Sequence, residues 1–215
     1  MRRYVTFRGI RSIIHAAAFA AVAATLVLAP TMVYAAPTVY DIDTAHSSAT
    51  FKVKHLSIST VSGGFGKVSG KMTWDQADPT KSSVEATIDA ASIDTQNGGR
   101  DEHLKSPDFF DVATHPTITF KSTKVEAAGE GRLKVTGDLT LRGVTKPVVL
   151  DVEGPVAPIK DPRGNMKTGA TATTKINRQD FGVSWSKTLD GGGLVVSDDV
   201  WITIELELAQ AKPAA

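Results

Sequence analysis

Residues 131–153 read GRLKVTGDLTLRGVTKPVVLDVE. Apolar residues alternate with polar ones from Leu133 to Leu141 and again from Val148 to Val152, as in half-buried antiparallel strands. Arg142 and Gly143 separate the two runs, and a short connection with glycine is typical of a turn. This stretch therefore predicts two adjacent strands, at 131–141 and 145–153.

The same period of two recurs through most of the chain after residue 36 and predicts eight strands in all. They are expected at 48–55, 65–75, 82–91, 117–126, 131–141, 145–153, 168–177 and 200–208. Short connections between successive strands favour a meander, and eight antiparallel strands can close on themselves so that no edge stays exposed. We therefore expect an all-β fold, an eight-stranded antiparallel barrel.

One segment between the third and fourth predicted strands departs from this pattern. It runs from Asn97 to Pro107, with acidic residues near its start, a lysine near its end and a proline that stops it. These features predict a short helix. Phe109 and Phe110 follow in a turn, where they are expected to bury themselves against a mouth of the barrel.

The predicted inward face of the barrel is almost entirely apolar. Small residues recur in it: Ala49, Gly70, Ala86, Ala90, Gly137, Ala170 and Ala172. Such a lining either leaves room for a guest or interdigitates with large residues in a packed core. The residues alone leave both alternatives open.

The first 35 residues predict a cleaved signal peptide. Four arginines precede an apolar run from Ile13 to Ala29, and Val33 and Ala35 have the small-residue spacing that a signal peptidase recognises. An uncleaved anchor is the alternative, but 17 residues are short for a membrane-spanning helix. The protein is therefore expected in the periplasm or outside the cell, as residues 36–210 with a disordered tail at 211–215.

Composition limits the partners and the chemistry. Without residues 1–35 the chain carries 20 basic and 23 acidic residues, a net charge of −3, which argues against nucleic-acid binding. There is no cysteine, so a hydrophobic core must supply the stability. The remaining histidines, His46, His55, His103 and His115, lack the local partners of a metal site, and no nucleophile accompanies them.

Several short motifs resemble those of a known family. They include Asp43-Thr44-Ala45-His46-Ser47, Arg100-Asp101-Glu102-His103-Leu104, Asp108-Phe109-Phe110-Asp111, Gly137-Asp138-Leu139-Thr140 and Arg178-Gln179-Asp180-Phe181-Gly182. Their order and spacing from about Tyr40 to Leu208 resemble the YceI-like family of exported, lipocalin-like barrels. That resemblance implies a polyisoprenoid or isoprenoid quinone held in an elongated apolar channel, and no catalytic residue or catalytic cofactor.

The resemblance and the strand phase together suggest ligand-binding residues. Candidates for the lining are Phe51, Val53, Met72, Trp74, Ile88, Phe120, Leu139 and Leu150, candidates for an entrance are Phe109, Phe110, Phe181 and Trp185, and His55 is the candidate for a headgroup contact. An isoprenoid lipid is the expected partner, with transient contact to a membrane surface and a homodimer as further expectations. An enzyme using His46, His55 or His103, and a packed barrel without ligand, are the alternatives.

Overall fold

A computed structural model describes Met1, residues 36–188 and residues 194–212. The rest of the predicted signal peptide lies outside the described residues, and so does the glycine run at 191–193. Of the predicted tail, only Ala211 and Lys212 are described, and the Ala211 amide donates a hydrogen bond to the Val39 carbonyl oxygen. No helix in the described ranges is long and apolar enough to cross a membrane.

The described chain is built almost entirely of strands. In chain order they are β1 Thr38–Ile42, β2 Ser48–His55, β3 Ser59–Phe65, β4 Val68–Trp74, β5 Ser83–Asp89, β6 Ile93–Asp94, β7 Thr117–Ala127, β8 Arg132–Leu141, β9 Val144–Glu153, β10 Ile159–Lys160, β11 Met166–Asn177 and β12 Val196–Gln210. One α-helix, α1, spans Gly98–Lys105, and short 3-10 turns occupy Pro79–Lys81, Ala90–Ser92 and Arg178–Phe181.

These strands form a closed wall with eight positions. β1 and β2 both pair with β12, one after the other along its length, so they form one interrupted wall strand. β3 and β4 together form a second interrupted wall strand, and β5 and β6 form a third. β7, β8, β9 and β11 continue the meander, and β12 pairs with β11 over almost its whole length, which closes the ring.

The predicted eight-stranded antiparallel barrel is therefore confirmed, with two differences in its strands. The first wall strand begins ten residues earlier than predicted, at Thr38, and the second begins at Ser59 instead of residue 65. Ser59–Phe65 reads STVSGGF, which lacks apolar residues at alternate positions, so the period of two does not show it. Pairing with β2 makes it a strand nonetheless.

The short helix lies where the sequence predicts it. Asn97 caps α1, and its side-chain oxygen accepts a hydrogen bond from the Arg100 amide. The helix ends at Lys105, two residues before Pro107. It crosses between the third and fourth wall strands and lies at one end of the barrel, which we call the α1 end.

Three of the small residues on the predicted inward face do not line the lumen, namely Gly70, Ala90 and Gly137. A side chain at Gly137 would approach the Phe120 ring and the Lys121 carbonyl to under 3.0 Å, because β7 bulges opposite this position. Gly70 has φ +143° and lies directly against the backbone of Glu85 and Ala86. These glycines permit close approach of neighbouring strands, whereas Ala49, Ala86, Ala170 and Ala172 do face the lumen.

Replacing Gly137 by alanine should destabilise the barrel. The added methyl group meets both the Phe120 ring and backbone, so we expect a loss of about 2 kcal/mol in the free energy of unfolding, typical of overpacking. Denaturant unfolding followed by circular dichroism measures this. The matched control is Gly66→Ala, where open space surrounds the position and the change should stay within about 0.5 kcal/mol. Equal effects of the two substitutions would contradict this interpretation.

Candidate binding cavity

The lumen of the barrel is hollow. It contains a cavity of about 240 Å³, lined by inward-facing residues of all eight wall positions. Many of these side chains, Phe120, Leu139 and Ile202 among them, are only half-buried although they point inward. In a packed core they would be fully covered, so their exposure is to the lumen itself.

Most of the predicted lining residues do line this cavity. The structure brings together Phe51, Val53, Met72, Trp74, Ile88, Phe120, Leu139, Leu150, Phe109 and Phe110 in its wall. It does not place His55, Phe181 or Trp185 there. His55 lies at the end of β2, beyond a bulge in β12 that shifts the register between Val196 and Val200.

The wall of the cavity is almost purely apolar. Few lining residues carry a polar side chain: Thr50, Ser82, Ser83, Thr119, Thr174 and Arg178. The Thr174 hydroxyl already donates to the Val149 carbonyl oxygen at 2.9 Å. Because buried polar groups need partners, such a lumen suits a hydrocarbon and offers little to a polar molecule.

Aromatic residues close the α1 end. Phe109 is 7% exposed and Phe181 only 2%, and both belong to one hydrophobic cluster there. Phe110 packs edge-on against Phe65, with ring centroids 5.5 Å apart, and Arg142 Nη1 donates to the Phe109 carbonyl oxygen at 2.6 Å. We interpret these packed residues as a plug, and the expectation that Phe109, Phe110, Phe181 and Trp185 surround an entrance stays a prediction.

Arg178 holds this plug together and has no free donor for a ligand. Nε donates to Ser197 O, Nη1 to the carbonyl oxygens of Val183 and Trp185, and Nη2 to Val196 O and Asp198 Oδ1. Burial lowers the pKa of the guanidinium, and Asp198 opposes that shift. The residue thus joins the segment after the 3-10 turn to the start of β12. Its carbonyl partners leave no signal in the sequence, so its role could not be predicted.

We interpret the opposite end of the barrel as the mouth. There the cavity is lined by Trp74, by Ser82, which precedes β5, by Ser83 at the start of β5, and by Pro155 after β9. Trp74 is half-buried and packs against two separate parts of the core, one around Met72 and Leu208 and the other around Leu133 and Leu150. We interpret Trp74 as the side chain that narrows the opening.

The histidines lie outside the cavity. Within the described ranges none of His46, His55, His103 and His115 lines it. His103 Nε2 lies 2.8 Å from Asp108 Oδ2, and its ring packs edge-on against Phe109 and Trp185. This pair supports the plug from outside and does not face the lumen.

A cluster of charged groups fills the break between β1 and β2. Lys167 Nζ donates to Asp43 Oδ2 at 2.8 Å and also to the Glu207 carboxylate, and His46 Nδ1 lies 3.1 Å from Asp43 Oδ2. Asp43, His46 and Glu207 form the one group of three potential metal ligands among the described residues. Lys167 already pairs with both carboxylates, so the cluster serves as an ion-pair network at the barrel seam. Lys167 and Glu207 are far from Asp43 in the chain, which hides the cluster from sequence motifs.

Comparisons with known proteins agree with this architecture. The YceI-like domain family matches residues 40–208. A UPF0312 protein of Vibrio cholerae serotype O1 is 43% identical over 146 residues, which cover 67% of this chain and 77% of that protein. A UPF0312 protein of Shewanella baltica is 41% identical over 165 residues, or 77% of this chain and 86% of the relative.

Solved structures share the fold. The YceI protein of Campylobacter jejuni is 36% identical with a TM-score of 0.63, over 74% of this chain and 90% of that one. BcnA of Burkholderia cenocepacia is 27% identical with a TM-score of 0.66, over 77% and 98%. A domain from Saccharophagus degradans, described as polyisoprenoid binding, is 17% identical with a TM-score of 0.58, over 80% and 98%, and shows likeness of fold alone.

The charged cluster predicts a pH-dependent contribution to stability. Hydrogen bonds from Lys167 and then His46 lower the pKa of Asp43 to about 2. Its contribution is therefore complete above its ordinary pKa of about 4 and is lost as the pH falls through about 2. Because the Asp43 side chain is 21% exposed and water screens the pair, Asp43→Asn should cost about 1 kcal/mol at pH 7.

Urea unfolding between pH 7 and pH 2 measures this effect. The difference between wild type and Asp43→Asn should disappear toward pH 2. Asp138→Asn, at an exposed position of β8, is the control and should show no such difference. A cost of Asp43→Asn that persists unchanged at pH 2 would exclude the ion pair as its source.

Proposed function

This chain belongs to the YceI-like domain family, and we propose that it binds one polyisoprenoid or isoprenoid-quinone chain in the lumen of its barrel. The observation that carries the proposal is the apolar cavity of about 240 Å³ that extends from the plug to the mouth. Dry apolar cavities take up apolar guests. The described polyisoprenoid binding of a relative in fold is consistent with the ligand class.

The energetics favour a reversible carrier or reservoir. Burial of ten carbons from water, at about 0.8 kcal/mol each, gives on the order of 8 kcal/mol and a micromolar affinity before ordering costs. A lipid tail in a bilayer already lies in hydrocarbon, so its transfer into the lumen gains little. The free energy of moving the lipid between membrane and lumen is then close to zero. A protein of this kind can therefore both take up and release its ligand.

The headgroup belongs outside the lumen. Arg178 is the one charged side chain in the cavity wall among the described residues, and its donors are occupied. Ser82 and Ser83 at the mouth are the hydroxyl groups available to a polar end. The proposed ligand thus enters tail first and leaves its headgroup near Trp74.

The proposal is of binding without catalysis. An enzyme acting on a ligand in the lumen would need an acid and a base there. The candidates His46, His55 and His103 lie outside the cavity wall, and His103 is already bonded to Asp108. The half-buried inward side chains of Phe120, Leu139 and Ile202 disfavour the alternative of a fully packed barrel.

Export is part of the proposal. A chain expressed in full in a bacterial host should be recovered from the periplasm with Ala36 as its first residue, because residues 1–35 have the charge and apolar pattern of a signal peptide. Intact mass spectrometry of the purified protein measures its N-terminus. Recovery of the complete chain in the membrane fraction would contradict the cleaved signal.

The ligand itself is tested by extraction. Organic extracts of the purified protein should yield an isoprenoid lipid by mass spectrometry, in up to one copy per chain. Ala170→Leu enlarges a lining side chain and should lower the bound lipid at least tenfold, since the leucine occupies the lumen. The barrel should remain folded by circular dichroism.

Thr173→Leu is the matched control for this substitution. Thr173 lies three residues further along β11 and is exposed on the outer face, so the same side chain there should leave lipid content unchanged. Extracts free of lipid, together with no uptake of an added isoprenoid quinone, would overturn the proposed function. Equal lipid content in the wild type and Ala170→Leu would place the ligand outside the lumen.

A further inference from the structure

The geometry points to a docking surface for anionic bilayers on the loop between β9 and β11, residues 154–165, at the mouth of the cavity. This mouth loop contains Pro155, which lines the cavity, and carries two strongly exposed apolar side chains. The identity of the lipid that passes through the mouth rests on the proposed function. The docking to a bilayer is argued from the residues of the mouth loop alone.

The mouth loop holds apolar side chains out in water. Val156 is 60% exposed and Ile159 is 68% exposed, and they lie three residues apart. Large apolar residues clustered at one exposed place indicate a contact with a membrane or another partner. Their position beside Pro155 puts that contact next to the opening through which a lipid would pass.

Hydrogen bonds and prolines hold the backbone of the mouth loop in place. Val156 donates its amide to Gly169 O at 3.0 Å, and its carbonyl accepts the Thr168 hydroxyl at 2.6 Å. Further along, Asp161 Oδ1 accepts the amides of Arg163 and Asn165, both at 2.8 Å. Pro155, Pro158 and Pro162 also restrict the backbone. A preorganised surface of this kind loses little conformational entropy on docking.

Cations next to these residues select an anionic surface. Lys160 and Arg163 are exposed, and neither forms an ion pair within the described ranges. The carboxylate of Asp161, which lies between them, accepts the loop amides and stays ionised, so the mouth loop carries two cations, one anion and a net charge of +1. Elsewhere at this end Arg132 pairs with Glu153 at 2.7 Å, while Glu130 in the turn between β7 and β8 is exposed and forms no ion pair within the described ranges. Basic residues beside apolar ones are the pattern of proteins that bind anionic lipid interfaces.

The α1 end carries exposed charges of both signs. Asp94, Asp108 and Asp180 are exposed there, Glu102 pairs with Lys105 at 3.0 Å, and Lys54 and Lys146 are exposed as well. Attraction of the mouth loop to an anionic bilayer would orient the barrel with its opening toward the lipid. A docked mouth lets an isoprenoid tail move between bilayer and lumen without crossing water.

Flotation with lipid vesicles tests the docking surface. The full chain is expressed in a bacterial host, and the protein is used in whichever form, processed or not, the host accumulates. It is mixed with vesicles of 30% phosphatidylglycerol in phosphatidylcholine, or of phosphatidylcholine alone. We expect binding to the anionic vesicles that weakens with salt. Val156→Asn combined with Ile159→Asn should weaken it at least tenfold. Lys160→Glu with Arg163→Glu should weaken it by more than the roughly 25-fold expected for two neutralised cations.

Matched controls lie at the other end of the barrel. Ile58, at the tip of the β2–β3 hairpin, is 83% exposed, and Lys146 is exposed on β9. Ile58→Asn and Lys146→Glu should leave vesicle binding unchanged. Loss of binding in these controls, with no loss in the mouth-loop variants, would overturn the proposal.

The remaining outcomes separate this inference from the proposed function. Absence of vesicle binding by a protein that still contains extractable isoprenoid overturns the docking surface and leaves the ligand in place. Vesicle binding through the mouth loop by a protein that never takes up lipid supports docking and overturns the proposed cargo. A dimer in sedimentation velocity that the mouth-loop variants abolish would identify the surface as a contact between copies and also overturn the inference.

Discussion

The closure of the wall by β12 is the constraint on which the rest of the structure depends. This strand pairs with β11 on one side and with β1 and β2 on the other, so it joins the first and last parts of the meander. Eight strands fix a diameter that side chains of ordinary size only just fill. Ala86 and Ala170 face inward with short side chains, and because the diameter of the wall does not shrink around them, the centre of the lumen stays empty.

Closure also separates the functions of the two ends. At the α1 end, Arg142 and Arg178 donate hydrogen bonds to carbonyl oxygens and hold an aromatic plug in place. At the mouth, Trp74 and Pro155 border the opening without such a clamp. The two arginines thus bond to backbone at the end that the plug closes, and the lumen between the ends is lined by apolar side chains. The ion pairs of Asp43 and Lys167 secure the seam from outside.

The sequence predicts the wall well and the ends poorly, for a physical reason. Alternation of side chains is a local property, so the lining positions of Phe120, Leu139 and Leu150 follow from the period of two. Plug and mouth depend on contacts between distant segments, and Arg178 bonds to carbonyl groups that every residue has. The glycines mislead for a related reason: at Gly137 the missing side chain makes room for the Phe120 ring of the next strand, which only the register between strands can show.

The hollow lumen affects the stability of the folded protein. Inward side chains of an empty barrel lack neighbours on one side and forgo the dispersion contacts that a completed interior would give them. On the proposed function, a bound lipid chain supplies those contacts and acts as a removable part of the hydrophobic core. A ligand that binds only the folded state stabilises it more as the ligand concentration rises. A protein that binds lipid as proposed would then resist heat and proteolysis better when lipid is plentiful, and copies without ligand would be degraded first.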